Sequence, residues 1–325
     1  MRSIDIPSHP EFSAMGAFYG AEIAPYLAAK ERDRRAAVLN VAILVAGLSA
    51  LAIAVLLFGP FGPSNVQAAI MIALAAAVVG TLIIDRTRND IAHGLLERIA
   101  GRLGFDYRSR FPRPEYCEKF SGLKLLPAFN RETWEDEVRG VRDGSRFVMC
   151  EAHLKYKTSG KNSSTRTVFH GQLLMLDYPR RFFGRTVVVR DSGILNALMK
   201  PGRDFQRVGL ASAEFEKAFE AWSTDQVEAR ELLDPLVLER FQELERLFKG
   251  KKLRAAFSDG QLLIALEAGD RLNMGSMFKP LADPARVEVI LSEFGVVFDL
   301  MDAATKPVEG RMTGAFSLGA VRPGA

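Results

Sequence analysis

The chain has 325 residues, a length that suits one or two domains. Its 48% hydrophobic and 25% charged residues match an average folded protein, yet residues 36–84 contain no Lys, Arg, Asp or Glu, a segregation that points to two compartments. The net charge of +4 is small and forms no basic stripe, and neither zinc-finger spacing nor an aromatic-studded RNA-binding motif occurs, which excludes a dedicated nucleic-acid binder.

Residues 1–35 read as a cytoplasmic amphipathic segment. Phe12, Met15, Tyr19, Ile23 and Tyr26 fall near one helical face over residues 11–35, and Pro25 is expected to kink that helix. The face would lie in a membrane interface or pack on the rest of the protein. Two apolar runs follow, 36–58 and 66–84. As helices they would be roughly 34 and 28 Å long, against a bilayer core about 30 Å thick. The uncharged turn Gly59-Pro60-Phe61-Gly62-Pro63-Ser64-Asn65 joins them, and the outer flanks carry Arg32, Arg34 and Arg35 on one side and Arg86 and Arg88 on the other. The positive-inside rule then puts both flanks in the cytoplasm and the turn outside. The expectation is a transmembrane helical hairpin over 36–84, and the late, long apolar run does not fit a cleaved signal peptide.

Ala42, Ala46, Ala50 and Ala54 in the first run, and Ala69, Ala73 and Ala77 in the second, recur every four residues. Such stripes let helices approach closely within a hairpin or between copies; the bland alternative is that Ala is simply abundant. Neither run holds a charged residue, so an ion pathway has no support. A juxtamembrane helix is expected over 85–104, with Ile91, Leu95, Ile99 and Leu103 on one face. Residues 86–113 hold seven Arg against three acidic residues, which either set topology or attract anionic headgroups.

Residues 105–305 read as a cytoplasmic α+β domain with a largely antiparallel sheet. Trp134–Val141 and Arg146–Tyr156 are strands around Arg142-Asp143-Gly144, and Thr165–Asp177 and Thr186–Arg190 are two more. Ala255–Ser258 and Gln261–Leu266 flank Asp259-Gly260, a hairpin signal. Ser212 is placed to cap a helix bearing Phe215, Phe219 and Trp222. Asp225 and Glu228 fit a capping pair for a helix to Leu233, Asp234-Pro235 opens another that ends at Gly250, and Asp283-Pro284 opens the last. Residues 306–325 are rich in Gly and Pro and are expected to be disordered. Cys117 and Cys150 are expected to be buried, reduced thiols.

The soluble part resembles a bacterial membrane protein family known as domain of unknown function 3137. The resemblance rests on Thr167-Val168-Phe169-His170-Gly171, on Phe182-Phe183-Gly184-Arg185 with Thr186–Val189, on Arg207–Leu210, on Thr224–Arg230 and on Lys251-Lys252-Leu253. It implies membrane anchoring and a bacterial origin, and it supplies no active site.

No phosphate-binding loop, nucleophile elbow or zinc-protease motif is present. His9, His93, His153 and His170 show no pair at metal-ligand spacing on a helix, so no metal and no cofactor is expected. If the loop 157–164 closes a hairpin, Glu151 stands opposite His170 with Val148, Cys150, Ala152 and Leu154 on the apolar face. A two-residue slip would instead put His153 opposite His170. A Glu–His pair suits acid–base chemistry, or equally a plain cross-strand contact. Asp225, Glu228 and Arg230 make a second polar cluster, at a helix start, with capping as its bland reading. Arg180, Arg181, Phe182 and Phe183 make a third, suited to lipid contact unless the Phe side chains fold back into the core. The leading expectation is a binding or scaffold protein of a bacterial cytoplasmic (inner) membrane, embedded in the bilayer with both termini cytoplasmic. It would contact a protein partner, a further copy of itself or anionic lipid. The alternative is a membrane-tethered, hydrolase-like enzyme using carboxylates and His170.

Overall fold

A computed structural model describes residues 4–60, 62–160, 163–178, 181–190, 202–209, 213–248, 251–268 and 275–305. The readings at Arg180, at Ser212, at Gly250 and over 306–325 lie outside them.

Two long helices dominate the amino-terminal third. After a short helix α1 (Met15–Phe18) and a π-helical turn over Tyr19–Ile23, helix α2 runs from Ala24 to Phe58. Pro25 closely follows the π-helical turn, and Ile23 before it is itself helical (φ -73°, ψ -49°), so the wider turn accommodates the missing N–H within one continuous helical run. Asn65 Nδ2 donates to the Gly59 carbonyl at 2.9 Å and braces the turn. Helix α3 then runs unbroken from Asn65 to Arg102. The second apolar run and the expected juxtamembrane helix are therefore one rod, because nothing between Ile84 and Asp90 breaks a helix.

Within the apolar stretch, the side chains turned toward the partner helix are Ala37, Val41, Leu44, Leu48 and Ala52 on α2 and Ile72, Ala76 and Gly80 on α3. Gly80 lets the backbones close, since a Cβ there would meet Val41 Cγ1 at 3.2 Å. The stripe Ala42, Ala46, Ala50 and Ala54 faces outward, as do Ala73 and Ala77. Packing within the hairpin thus does not use that stripe: the contact face lies beside it and sets Val41, Leu44 and Leu48 among the small residues Ala37, Ala52, Ala76 and Gly80.

Both helices continue into the core of the α+β part. Leu27 on α2 and Ile91, Leu95, Ile99 and Ala100 on α3 are fully buried among its side chains. Phe12 stacks on Phe298 with ring centroids 5.5 Å apart, so the amino-terminal segment packs on protein.

The sheet holds nine strands among the described residues: β1 (Asp106–Arg110), β2 (Arg131–Arg142), β3 (Ser145–Lys157), β4 (Thr165–Asp177), β5 (Thr186–Arg190), β6 (Gln206–Val208), β7 (Phe219–Ser223), β8 (Lys251–Ser258) and β9 (Gln261–Glu267). They lie in the order β1-β2-β3-β4-β9-β8-β5-β7-β6 with antiparallel neighbours throughout. The β2–β3 turn uses Asp143 (φ 50°) and Gly144 (φ 80°), and the β8–β9 turn Asp259 (φ 53°) and Gly260 (φ 72°). Positive φ at both central residues is what an Asp-Gly hairpin supplies.

Alternation splits the buried residues into two cores. On one face Phe147, Leu174, Leu176, Val188, Ala255 and Ile264 meet the lower halves of α2 and α3 and the helices α6 (Gln226–Leu232), α7 (Pro235–Leu247) and α8 (Ala285–Thr305). On the other, Trp134, Val148, Cys150, Ala152, Leu154, Phe169 and Leu173 meet α4 (Cys117–Gly122). Both cysteines are free and buried there.

One helix reading is overturned. Helix α5 (Ala213–Ala218) is short, and Phe219–Ser223 forms strand β7, with Phe219, Ala221 and Ser223 inward. Phe215, Phe219 and Trp222 fit a helical period, but Phe219-Glu220-Ala221-Trp222-Ser223 also alternates, and pairing with β5 and β6 decides for the strand.

Candidate functional site

The β3–β4 register is the slipped one. His153 pairs with His170 and Glu151 with Gln172, and a bulge follows at Leu154/Lys155. The Glu151–His170 pairing expected directly across the strands becomes a diagonal contact, with His170 Nε2 2.9 Å from Glu151 Oε1. The His153 and His170 rings stack at 4.4 Å, and His153 Nε2 lies 3.0 Å from Thr167 Oγ1. Lys157 pairs with Thr165, and the bulge leaves Val168 without a pairing partner in the ladder, which shifts the register of every pair beyond it.

A second bulge, in β2 between Glu135 and Val138, matters more. Asp136 takes φ 56°. In a regular strand Glu135 and Asp136 would point to opposite faces. The bulge turns both carboxylates to the face covered by α3, and sends Glu137 to the other face, where it accepts from Tyr116 Oη at 2.8 Å. Glu135 then stands directly opposite Glu151, a like-charge cross-strand pair that is unfavourable by itself.

Helix α3 lies over this corner with Asn89, Ala92 and His93. Together they enclose a cavity of about 160 Å³ lined by His93, Glu135, Asp136, Glu151, His153 and His170. Asp136 Oδ1 accepts from Tyr107 Oη at 2.5 Å and lies 3.5 Å from His93 Nε2. Arg110 Nε donates to Glu135 Oε1 at 2.7 Å. The Glu151 side chain is 7% exposed and also accepts from Gln172 Nε2 at 3.2 Å. Burial lowers the His93 pKa against the pull of Glu135 and Asp90; burial, with help from His170 and Lys155, lowers that of His153. Burial thus favours the uncharged form of both rings, and the cavity sets imidazole nitrogens beside carboxylates. Imidazole nitrogen and carboxylate oxygen are the donors borderline transition ions prefer.

Of the residues singled out from sequence, Glu151, His153 and His170 sit in this cavity. His93, Glu135 and Asp136 complete it, and only a bulge and a helix crossing from far away in the chain bring them there. Asp225, Glu228 and Arg230 lie elsewhere. Asp225 caps α6, accepting from the N–H groups of Val227 and Glu228 at 2.9 and 3.0 Å. Glu228 does not reach back to Asp225, whose N–H goes to Ser223 Oγ; it clamps the neighbouring loop, accepting from Phe183 N at 2.8 Å and Gly184 N at 2.6 Å. The expected reciprocal capping pair is thus half formed. Arg230 is exposed in the last turn of α6, where a cation suits the helix dipole.

That clamp joins two clusters the sequence kept apart. Phe182 folds back against Tyr178 and Phe257, while Phe183 is 95% exposed and Arg181 is exposed. Phe183 lies beside Ser258 and Asp259 at the β8–β9 turn. That turn belongs to the end of the sheet where Asp177 pairs with Gln261, next to Phe147, which Phe105 reaches only after α3 has ended. The loop is therefore at the end of the sheet remote from the apolar helices.

His9, Asp299 and Asp302 also bring ligand atoms within 4.8 Å of one another. Arg142 already occupies that corner, donating to Glu11 Oε1 and Asp302 Oδ1 at 2.5 Å each. A second cation beside a buried guanidinium is disfavoured.

Fold and site together define a helical hairpin rooted in an antiparallel α+β domain, with a histidine–carboxylate cavity where the two meet. Residues 167–304 match the family described as "Protein of unknown function (DUF3137)". The matched span begins in β4 and ends in α8, so it holds His170 but not the hairpin or the other cavity residues. A comparison with curated proteins finds no match. Among solved structures, a likeness extends to the crystal structure of the mycobacterial trehalose monomycolate transport factor A, TtfA. It has 12% identity, covers 67% of this chain and 97% of that one, and its TM-score of 0.36 falls short of a common fold.

Proposed function

We propose that this chain is a membrane-anchored binding module of a bacterial cytoplasmic membrane. In this reading the apolar halves of α2 and α3 cross the bilayer as a hairpin, with both termini and the α+β domain on the cytoplasmic side. The observation that carries it is the outward apolar surface of both helices: Leu39, Ile43, Leu57, Ile70, Leu74 and Leu82 are all more than half exposed. An apolar surface of this extent is unstable in water and is what a lipid core solvates. Arg32, Arg35, Arg86 and Arg88 at the inner ends support the orientation.

The same helices enter the domain core without a linker, so the domain would keep a fixed pose on the membrane. This moves the lipid-contact surface away from Phe183 and onto the loop at Gly275–Pro280. Arg34 Nη1 donates to the Met277 carbonyl at 2.5 Å and Leu281 N donates to Glu31 Oε2 at 3.0 Å, which pins the loop one helical turn below the apolar run. Phe278 there is 71% exposed and neighbours Lys279, a pairing suited to an anionic interface. A hydrolase-like reading has the Glu151–His170 pair in its favour, but Asp225 caps α6 and Glu228 clamps the Phe183–Gly184 loop, so the carboxylates it invoked do not converge.

The test combines fractionation with lipid binding. The full chain is expected to stay in the membrane pellet after an alkaline carbonate wash, and a carboxyl-terminal reporter is expected to be active only inside the cell. Phe278→Ser in detergent-free nanodiscs with anionic lipid is expected to raise protease cutting of the 275–281 loop. Release of the chain into the carbonate supernatant refutes the reading.

A further inference from the structure

We propose that the cavity between α3 and the β2–β3–β4 corner binds one divalent transition-metal ion, with His93, Asp136, Glu151 and His170 as its ligands. The proposal goes beyond the membrane-anchor reading and does not depend on it.

Three observations carry it. The first is composition: the six titratable side chains that line the cavity are all metal-ligating types, three imidazoles and three carboxylates. The second is how they get there. The β2 bulge, with Asp136 at φ 56°, breaks the strand's alternation, turns two successive carboxylates to one face, and leaves Glu135 opposite Glu151. Arg110 already offsets Glu135; Asp136 and Glu151 add two further carboxylates beside the imidazoles, a set that a bound cation favours. The third is spacing. A tetrahedral ion with bonds of about 2.0–2.1 Å holds its donors roughly 3.3 Å apart. The His170 Nε2–Glu151 Oε1 and His93 Nε2–Asp136 Oδ1 separations, 2.9 and 3.5 Å, bracket that value.

The charge balance agrees. Asp90, Glu135, Asp136 and Glu151 act on this corner, opposed by the cations Arg110 and Lys155. No three of the donors yet lie within 4.8 Å of one another, so the ion would draw the two pairs together across the cavity. The neighbouring groups have supporting parts. Tyr107 Oη donates to the same Asp136 Oδ1 that faces His93, Gln172 Nε2 holds the Glu151 oxygen turned away from His170, and the stacked His153 ring backs His170. Ligand orientation by such second partners is general in metal sites.

The experiment uses the full chain in detergent, stripped with EDTA and titrated with Zn²⁺ by calorimetry and with Co²⁺ by visible absorption. One ion per chain is expected, with Co²⁺ giving the intense bands of a tetrahedral site. His170→Gln and Asp136→Asn are each expected to weaken Zn²⁺ binding at least tenfold, while His9→Gln leaves it unchanged. Thermal melts of the stripped variants check that the fold survives, and His93→Gln, on a different element, repeats the test if His170→Gln fails to fold. Binding below one-tenth of an ion per chain overturns the proposal. So does binding that is unchanged in folded His93→Gln and Asp136→Asn, or that is lost only in His9→Gln, which would move the ion to the His9–Asp299–Asp302 corner.

Discussion

Arg142 and Arg146 flank the same β2–β3 turn, and replacing each by Met separates burial from charge. The Arg142 side chain is 7% exposed. Its Nε donates to Glu11 and its Nη1 to Asp302, both at 2.5 Å, a further bond reaches the Phe298 carbonyl at 3.3 Å, and the guanidinium lies 4.8 Å from the Phe298 ring centroid. Three elements meet there: the amino-terminal segment, the β2–β3 turn and α8. Arg142→Met keeps the stem and removes two charge-assisted bonds of about 1.5–3 kcal/mol each. Glu11 Oε2 is already buried without a hydrogen-bond partner among the described residues, so its carboxylate is left worse off. The recovered desolvation of the guanidinium and the half-buried state of both acids offset part of this, leaving a net loss of about 3 kcal/mol. For a domain of this size that is roughly 6–12 °C in Tm. The Arg146 side chain is 77% exposed, with Nε 2.7 Å from Asp177, so Arg146→Met is expected to cost under about 1 kcal/mol. Adding Glu11→Gln and Asp302→Asn to Arg142→Met should restore more than half of the loss, because the stranded charges go with the guanidinium. Melts of the full chain in detergent read all of this. Equal losses for the two arginines, or no recovery in the triple variant, would refute the reasoning.

Two further outcomes follow from local chemistry. The Arg34 hydrogen bond holds the Glu31 pKa down at about 2 from 4.5, against burial and with help from Leu281 N–H and Arg35. A carboxylate with a depressed folded pKa adds stability above its unfolded pKa and loses it as the pH falls through the folded one. Glu31→Gln should therefore cost about 2–3 kcal/mol at pH 7, with parent and variant converging between pH 4.5 and 2 in denaturant melts. Burial raises the Cys117 pKa and pushes that of Cys150 up to about 12, so neither thiol should react with a maleimide until the protein unfolds; prompt labelling of the native chain would contradict the second core.

The elements with strong local codes were legible from sequence. Thr165–Asp177 and Thr186–Arg190 form strands at the predicted bounds, the two Asp-Gly turns close hairpins, and Asp225 and Asp234 cap the helices they were expected to open. Side-chain period, φ preference and capping act over a few residues, so the sequence carries them directly. The two long apolar helices were legible for the same reason. Strand β1 was missed because Asp-Tyr-Arg-Ser-Arg has no apolar alternation; it is an edge strand held by β2 and by ion pairs such as Arg110–Glu135. Strand β7 was misread because its aromatic spacing fits two periods at once.

The cavity belongs to tertiary structure. Glu151 and His170 could be named from a hairpin, but their register depended on a bulge that no local preference announced. Asp136 joined them through a second bulge, and His93 through the passage of α3 over that corner, neither of which is encoded in spacing along the chain. Long-range pairing chose those positions, because only the assembled sheet and helices set the balance between like-charge crowding and the burial that holds it in place.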